Sequence, residues 1–141
     1  MANALGNLAS VAHRRGQSEK AEKLLREKLT LCREAGLFAG EQNALGNLSS
    51  LAAEKKQLEE ALALAAQRTA LTRQHRAFQQ YADALHRQAL LEQRIGRHQE
   101  AYRHEGEAVS IARQHGYTAL LREAGSAGIW ESGGENHEFF V

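Results

Sequence analysis

The stretch Asn3-Ala4-Leu5-Gly6-Asn7-Leu8 returns unchanged as Asn43-Ala44-Leu45-Gly46-Asn47-Leu48, 40 positions further along the chain. The match continues without an insertion through the rest of both copies, where Glu19, Ala21, Leu24, Leu31 and Arg33 recur as Glu59, Ala61, Leu64, Leu71 and Arg73. A third, more diverged copy keeps the same step with Ala84, Leu85, Gly96, Ala101, Arg113 and Gly116. A fixed internal period of this length is the sequence signature of a repeat protein, in which every copy is one supersecondary unit.

Each copy contains two amphipathic helical patterns with a short break between them. In the first copy they run from about Asn3 to Arg14 and from about Ser18 to Ala35. Their apolar residues recur at spacings of three and four, which places them on one stripe of a helix. Glycines at 16, 36, 96 and 116 follow helical stretches and can close a helix in the left-handed conformation, whereas Lys56 replaces the turn glycine of the second copy. The sequence therefore predicts helix, turn, helix, turn in each copy.

A single helical pair of this kind cannot bury its apolar stripe, so neighbouring pairs must stack to create a continuous core. The sequence predicts an all-α solenoid of three helix-turn-helix repeats with a C-terminal capping helix. Ala21, Ala61 and Ala101 are expected where two helices cross, because a methyl group allows the axes to approach to about 8–10 Å. The predicted organisation is a solenoid over 1–122, with repeats at about 3–42, 43–82 and 83–116 and a cap at 117–124, followed by a tail at 125–141.

Composition argues against several classes of function. The formal net charge of +1 gives no basis for a nucleic-acid partner, and no stretch approaches the roughly 20 apolar residues of a membrane span. A single cysteine, Cys32, excludes an internal disulfide framework and a cysteine-based zinc site. The seven histidines lack a pair at i, i+4 with a third ligand, and are expected mostly at the surface. No phosphate loop or nucleophile with a neighbouring base is present, so the chain is predicted to have no enzymatic activity and no cofactor.

The tail differs in charge from the rest of the chain. Residues 1–122 hold all 18 Lys and Arg but 13 of the 17 acidic residues, a net charge of +5, which leaves 125–141 acidic. Glycines and serine make this tail linker-like, yet it carries two apolar islands, Ile129-Trp130 and Phe139-Phe140-Val141. The tail is either a frayed terminus or a segment that docks into a basic groove of its own chain or of a neighbour. A cytoplasmic location is expected, for a complete protein or for a fragment of a longer one.

The residue pattern resembles the tetratricopeptide repeat (TPR) family, in the 40-residue-period variant of kinesin light chain and related adaptor proteins. The matching positions are Leu5, Leu8, Ala9, Gly16, Ala21 and Leu25 in the first copy and Leu45, Leu48, Ser49, Ala61 and Ala65 in the second. Departures occur at Ala12, Ala52 and Glu92, where the family often has an aromatic residue, and at Gln88, which replaces a leucine. The resemblance implies a right-handed superhelix whose concave groove is lined by the first helix of each repeat.

The resemblance also implies a peptide-binding site in that groove. The residues transferred to it are Asn3, Asn7, Ser10, Asn43, Asn47, Ser50, Arg87 and Arg94. Residues three and four apart share a helix face, and an asparagine amide offers both a donor and an acceptor to a peptide backbone. Asn7, Asn47 and Arg87 are expected to contribute most, although the asparagines could instead be solvated or bonded between repeats. The mid-helix glycines at 6 and 46 either leave room for a ligand or allow tight helix packing, and the sequence leaves both open.

The predicted function is therefore a protein-interaction scaffold that binds an extended peptide of acidic character, with no nucleic acid and no membrane involved. The alternative is a self-assembly or structural segment of a larger regulatory protein. In that alternative, self-association runs through residues 125–141, docked on the groove of the same chain or of a neighbour.

Overall fold

The computed structural model describes residues 1–129, which form seven α-helices and no strand. The helices are α1 (Ala2–Arg14), α2 (Ser18–Ala35), α3 (Phe38–Glu54), α4 (Leu58–Gln74), α5 (Phe78–Ile95), α6 (His98–His115) and α7 (Thr118–Ala127). The predicted all-α repeat fold is confirmed. The chain divides into two compact units, a first unit at Met1–Arg68 and a second unit at Thr69–Val141, with the boundary inside α4.

The six turns between helices share one backbone geometry. At each turn a backbone N–H two or three residues past the helix end donates to the carbonyl five residues earlier, at 2.8 to 3.1 Å between nitrogen and oxygen. This closure requires a left-handed residue, and four turns supply glycine at 16, 36, 96 and 116. The other two turns use Lys56 and Arg76 with φ of 62° and 53°, so side chains occupy a conformation that favours glycine.

In the first unit α1 packs against α2, and α2 packs against α3. Along α2 the residues at spacings of three and four are mostly buried, namely Ala21, Leu25, Leu29 and Cys32, whereas Leu24 and Leu31 are half-buried. The other buried apolar residues of this unit are Leu5, Ala9, Ala12, Ala44, Leu45, Leu48, Leu51, Ala52, Ala61, Leu62, Leu64 and Ala65. Burial of each leucine contributes about 1.5–3 kcal/mol. Ala21 and Ala61 are fully buried, as expected for residues at a helix crossing.

In the second unit α5 packs against α6, and α6 packs against α7. Ala82, Ala112 and Leu120 form one buried cluster, and a second cluster joins residues 89, 101 and 129. The predicted cap ends at residue 124 and the predicted linker-like tail begins at 125, but α7 continues to Ala127 and Ile129 is buried. The apolar side chains after Gly125 therefore extend the packed part of the chain. The rest of the predicted tail, including Trp130 and the second apolar island, lies outside the described residues.

Within residues 1–129, no helix is both long enough and apolar enough to cross a lipid bilayer.

Candidate functional site

A small pocket in the first unit lies between α1 and α3. Its volume is about 130 Å³, and it is lined by Ala9, Ser10, His13, Ala21, Leu25, Asn47, Ser50, Leu51 and Glu54. The lining includes three of the residues transferred from the family, Ser10, Asn47 and Ser50. His13 Nε2 lies 2.9 Å from a carboxylate oxygen of Glu54, which ties α1 to α3. The pocket thus combines apolar lining from buried side chains with exposed polar groups that can form hydrogen bonds.

A buried lysine of α2 contacts the same two helices, α1 and α3. Lys28 of α2 is 7% exposed, and its Nζ donates a hydrogen bond to Asn43 Oδ1 at 3.0 Å. Asn47 Nδ2 donates to the same oxygen at 3.2 Å, so Asn43 connects the lysine to the pocket residue Asn47. No carboxylate of residues 1–129 forms an ion pair with Lys28. An ammonium group has three donors, so two N–H groups of Lys28 remain for another acceptor.

The glycines in the middle of α1 and α3 accommodate long cationic side chains from the second helix of their own repeat. A Cβ at Gly6 would lie 3.0 Å from Lys28 Nζ, and a Cβ at Gly46 would lie 3.5 Å from Arg68 Cδ. Both pairs have the same spacing, since Gly46 and Arg68 follow Gly6 and Lys28 by 40 residues. A Cβ at residue 6 would therefore press on the Lys28 amine, whereas a Cβ at residue 46 would make an ordinary van der Waals contact with Arg68. Close packing describes Gly6, and both interpretations stay open for Gly46. The amine of Lys28 takes the position that a side chain at residue 6 would occupy.

The remaining transferred residues lie on both units. Asn3 and Asn7 are exposed on α1, while Ser10 Oγ donates to the carbonyl of Gly6 at 3.1 Å, four residues earlier. In the second unit, Arg87 Nη2 donates to Glu123 Oε2 at 2.8 Å. Arg94 is exposed in the last turn of α5. The first unit thus brings together Ser10, Asn43, Asn47 and Ser50, and sequence reasoning missed Lys28, His13 and Glu54 as their neighbours.

The second unit buries a polar cluster that the sequence analysis did not predict. His86 Nδ1 lies 2.8 Å from Glu105 Oε1, and the two side chains are 2% and 0% exposed. His104 Nδ1 lies 2.7 Å from Glu92 Oε1, and Gln88 Nε2 donates to the other oxygen of Glu92 at 3.3 Å. The expectation that histidines lie mostly at the surface is therefore wrong for His86. Among residues 1–129, no group of three histidine, cysteine or acidic side chains is placed to hold a metal ion.

Away from the pocket, three ionisable groups have shifted pKa values. Hydrogen bonds from Lys55 and then Arg26 lower the pKa of Glu22 below its ordinary value. Glu19 and then Glu22 raise the pKa of Lys55, whose Nζ lies 2.8 Å from both carboxylates. Burial, followed by a hydrogen bond to Glu107, raises the pKa of Tyr81 to about 12. These shifts arise from contacts between packed helices.

Comparison with known families gives two adjacent matches. The family model described as Anaphase-promoting complex subunit 5 (ANAPC5) matches residues 2–55 and again residues 52–129. The chain belongs to this family. ANAPC5 is a TPR-type family, so the resemblance found in the sequence is confirmed. A family model that matches twice is the expected result for a chain with internal repeats.

Solved structures support the same fold for this ANAPC5 family member. Aspartyl phosphate phosphatase F from Bacillus subtilis aligns with a TM-score of 0.86 and 13% identity over 97% of this chain, which spans 36% of that protein. The N-terminal domain of stress-induced protein-1 from C. elegans aligns with a TM-score of 0.70 and 18% identity over 89% of this chain and 93% of that one. A putative kinesin light chain with TPR-like repeats from Podosopora anserina aligns with a TM-score of 0.74 and 19% identity over 96% of this chain and 68% of that one. No curated protein sequence matches the chain.

Proposed function

We propose that this chain is a protein-interaction scaffold that binds an extended, acidic peptide on the α1–α3 face of its first unit. The observation that carries the proposal is the buried amine of Lys28, which has no carboxylate partner among residues 1–129 and is connected through Asn43 to Asn47. The pocket next to it offers Ser10 and Ser50. The amine has one hydrogen-bond acceptor in this structure, Asn43 Oδ1, so a carboxylate of the ligand would add a charge-assisted hydrogen bond at this face.

Each group on this face has a distinct role in the proposal. The exposed amide of Asn7 and the amide of Asn47 form hydrogen bonds with the peptide backbone, since each offers a donor and an acceptor. The pocket holds one small side chain of the peptide. Lys28 donates its free N–H groups to a carboxylate of the peptide, and a charge-assisted hydrogen bond of this kind contributes about 1.5–3 kcal/mol.

The other transferred residues are proposed to bind within their own unit. In the first unit, Asn3 adds a further exposed amide on α1. In the second unit, considered by itself, Arg94 offers an exposed cation on α5. Arg87 would bind an acidic group of the ligand in place of Glu123, its present partner. The name of the ANAPC5 family refers to a subunit of a complex, which supports a role in holding other proteins. We propose a cytoplasmic adaptor that needs no cofactor and performs no covalent chemistry.

Peptide selection followed by affinity measurement tests this function. A phage library of random 12-residue peptides is selected on the immobilised full chain, and selected peptides are measured by fluorescence anisotropy. We expect selected peptides to be rich in Asp and Glu. Lys28→Met, which keeps the length of the side chain, should weaken binding by about tenfold, equal to about 1.4 kcal/mol. The double replacement Asn7→Ala with Asn47→Ala should weaken binding to a similar extent.

The control is Lys23→Met, which removes the same charge from an exposed position of α2 and should leave the affinity unchanged. Circular dichroism melting curves establish which variants remain folded. If Lys28→Met and the double asparagine variant bind the selected peptides at full strength while folded, the peptide site is elsewhere.

A second candidate function is self-assembly through the acidic tail. It is motivated by the net charge of +5 over residues 1–122 and the acidic residues that follow. Because Ile129 is buried, the informative truncation removes residues 130–141 and keeps the packed part. Under this hypothesis the truncated chain binds selected peptides more tightly, or a dimer seen by light scattering becomes a monomer. Unchanged affinity together with unchanged mass contradicts it.

A further inference from the structure

The first repeat exposes apolar positions that the second repeat buries. Leu8 and Val11 on α1 are 55% and 37% exposed. Their equivalents 40 residues later, Leu48 and Leu51 on α3, are 2% and 5% exposed. Met1 is also exposed at this end of the unit, next to an open depression of about 760 Å³. The internal repeat thus serves as its own control, because the same positions in the same register are buried in one copy and exposed in the other.

The contacts between α2 and the second repeat show what kind of partner covers such a face. Helix α2 packs against α3, and charged side chains border the contact. Lys55 Nζ binds the carboxylates of Glu19 and Glu22, each at 2.8 Å. Arg26 Nη2 donates to Glu60 at 2.8 Å, and Arg33 Nη2 donates to Gln67 at 3.0 Å. The occupant of this kind of face is therefore a helix, held by an apolar stripe with charge contacts along its edges.

The residues 40 positions before these contact residues give the charges that a helix bound to the first repeat would meet. Arg15 stands in the place of Lys55, Lys20 in the place of Glu60, and Glu27 in the place of Gln67, and all three are exposed. A matching helix needs acids in its first two turns to pair with Arg15 and an acid in its middle to pair with Lys20. It also needs a cation in its last turn to pair with Glu27.

We propose that this outer face, formed by Met1, Leu8, Val11, Lys20 and Glu27, binds an amphipathic helix of another protein in the way that α3 binds α2. The proposal goes beyond the peptide site, because it uses other residues and takes a helix in place of an extended chain. The helix α2 of a second copy does not meet the requirement. Its Arg26 would lie opposite Lys20, and like charges placed together in a stacked interface are unfavourable.

Two synthetic helices provide the test. One is a hydrocarbon-stapled peptide with the sequence of residues 17–36, and the other is identical except for Arg26→Glu; the staple is needed because isolated helices of this length are only marginally stable. Binding of each to the full chain is measured by fluorescence anisotropy. We expect the Arg26→Glu peptide to bind at least tenfold more tightly than the native-sequence peptide. In the full chain, Leu8→Glu should abolish binding, and Lys20→Glu should reverse the preference between the two peptides.

Three controls separate this face from the peptide site and from misfolding. Leu8→Glu changes an exposed residue, so its melting curve should match that of the unchanged chain. Ala63→Glu places the same charge at an exposed position of α4 and should leave helix binding intact. The double replacement of Asn7 and Asn47 by alanine should also leave it intact, so that failure of either proposal is recognised separately.

The inference is overturned if the Arg26→Glu peptide does not bind, or if its binding is insensitive to both Leu8→Glu and Lys20→Glu. It is also overturned if the chain alone doubles its mass by light scattering and Leu8→Glu restores the monomer. That result would make a second copy the occupant of the outer face.

Discussion

The two units follow one repeat register but bury different chemistry. In the first unit, Leu48 and Ala52 line the core, and the equivalent residues of the second unit are Gln88 and Glu92. A few residues on, Leu64 and Ala65 are replaced by His104 and Glu105, while His86 stands in the place of Gly46. The polar residues are not scattered, since His86 pairs with Glu105 and His104 pairs with Glu92.

The difference shows that the core of this repeat fold accommodates polar side chains when each of them has a hydrogen-bond partner. Removing one carboxylate–imidazole pair from water is costly, and the mutual attraction offsets this cost only when both partners are present. A buried pair is thus a poor source of stability compared with two apolar residues, but it is very sensitive to loss of one partner.

The largest effect is expected when one partner of the buried pair is removed. Glu105→Leu removes the hydrogen-bond partner of His86 Nδ1 and should lower the free energy of unfolding of the second unit by about 1–3 kcal/mol. Replacing both residues, with His86→Leu added, should recover most of that loss because no unpaired polar group remains. Urea titration followed by circular dichroism measures both variants. Additive losses in the double variant would show that the two side chains do not act as a pair.

The matching experiment in the first unit concerns Glu22, whose pairs lie at the helix surface. Its carboxylate binds Lys55 and Arg26 at 2.8 and 3.1 Å, and these bonds lower its pKa. A lowered pKa in the folded state means that the contribution is present above the ordinary value of 4.5 and is lost as pH falls below it. Glu22→Gln should therefore cost about 0.5–1 kcal/mol at pH 7, as a partly exposed ion pair does.

The pH dependence distinguishes this loss from a general effect of the substitution. The difference between Glu22→Gln and the unchanged chain should shrink in urea titrations as pH is lowered from 6 to 3. Lys55 has a raised pKa and stays charged over this range, so within the Glu22–Lys55 pair only the carboxylate titrates. Glu34→Gln, at an exposed position of the same helix, should show no difference at any pH. A loss that is independent of pH would assign the effect of Glu22→Gln to packing.

The fold could be predicted because its signals are local and repeated. Amphipathic spacing gave α1 and α2 within one residue of their observed ends, and the turn glycines gave the breaks between them. The burial of Lys28 was not predicted, because a lysine on an amphipathic helix usually lies at the surface. Its burial depends on the slot opened by Gly6 on another helix, which is a property of tertiary packing. The repeated pairing of a mid-helix glycine with a cation was the signal that could have revealed it.

The candidate site was only partly predictable for the same reason. Asn43 and Asn47 stood out because they recur with the period. The hydrogen bonds of Asn43 to Asn47 and to Lys28 depend on side-chain geometry and on the packing of α2 against α3. His86 and Glu105 are 19 residues apart on different helices, so no spacing rule within a helix connects them. Ile129 looked like part of a linker because glycines surround it, and its burial follows from the packing of the second unit.

The smallest predicted effect concerns a feature that the two units share. Lys56 in the first unit and Arg76 in the second adopt positive φ at turns where four equivalent positions have glycine. A side chain in this conformation costs about 1–2 kcal/mol, and the greater freedom of glycine in the unfolded chain offsets part of the gain from replacing it. Lys56→Gly and Arg76→Gly should therefore each stabilise the chain by about 0.5–1 kcal/mol, seen as a higher urea midpoint with an unchanged slope. Gly16→Ala, the reverse change at an equivalent turn, should destabilise by a similar amount. Equal gains from Lys56→Gly and Arg76→Gly would show that the strain at these turns is the same whether the neighbouring core is apolar or polar. A gain in one unit alone would show that the composition of the core changes the strain at the turn.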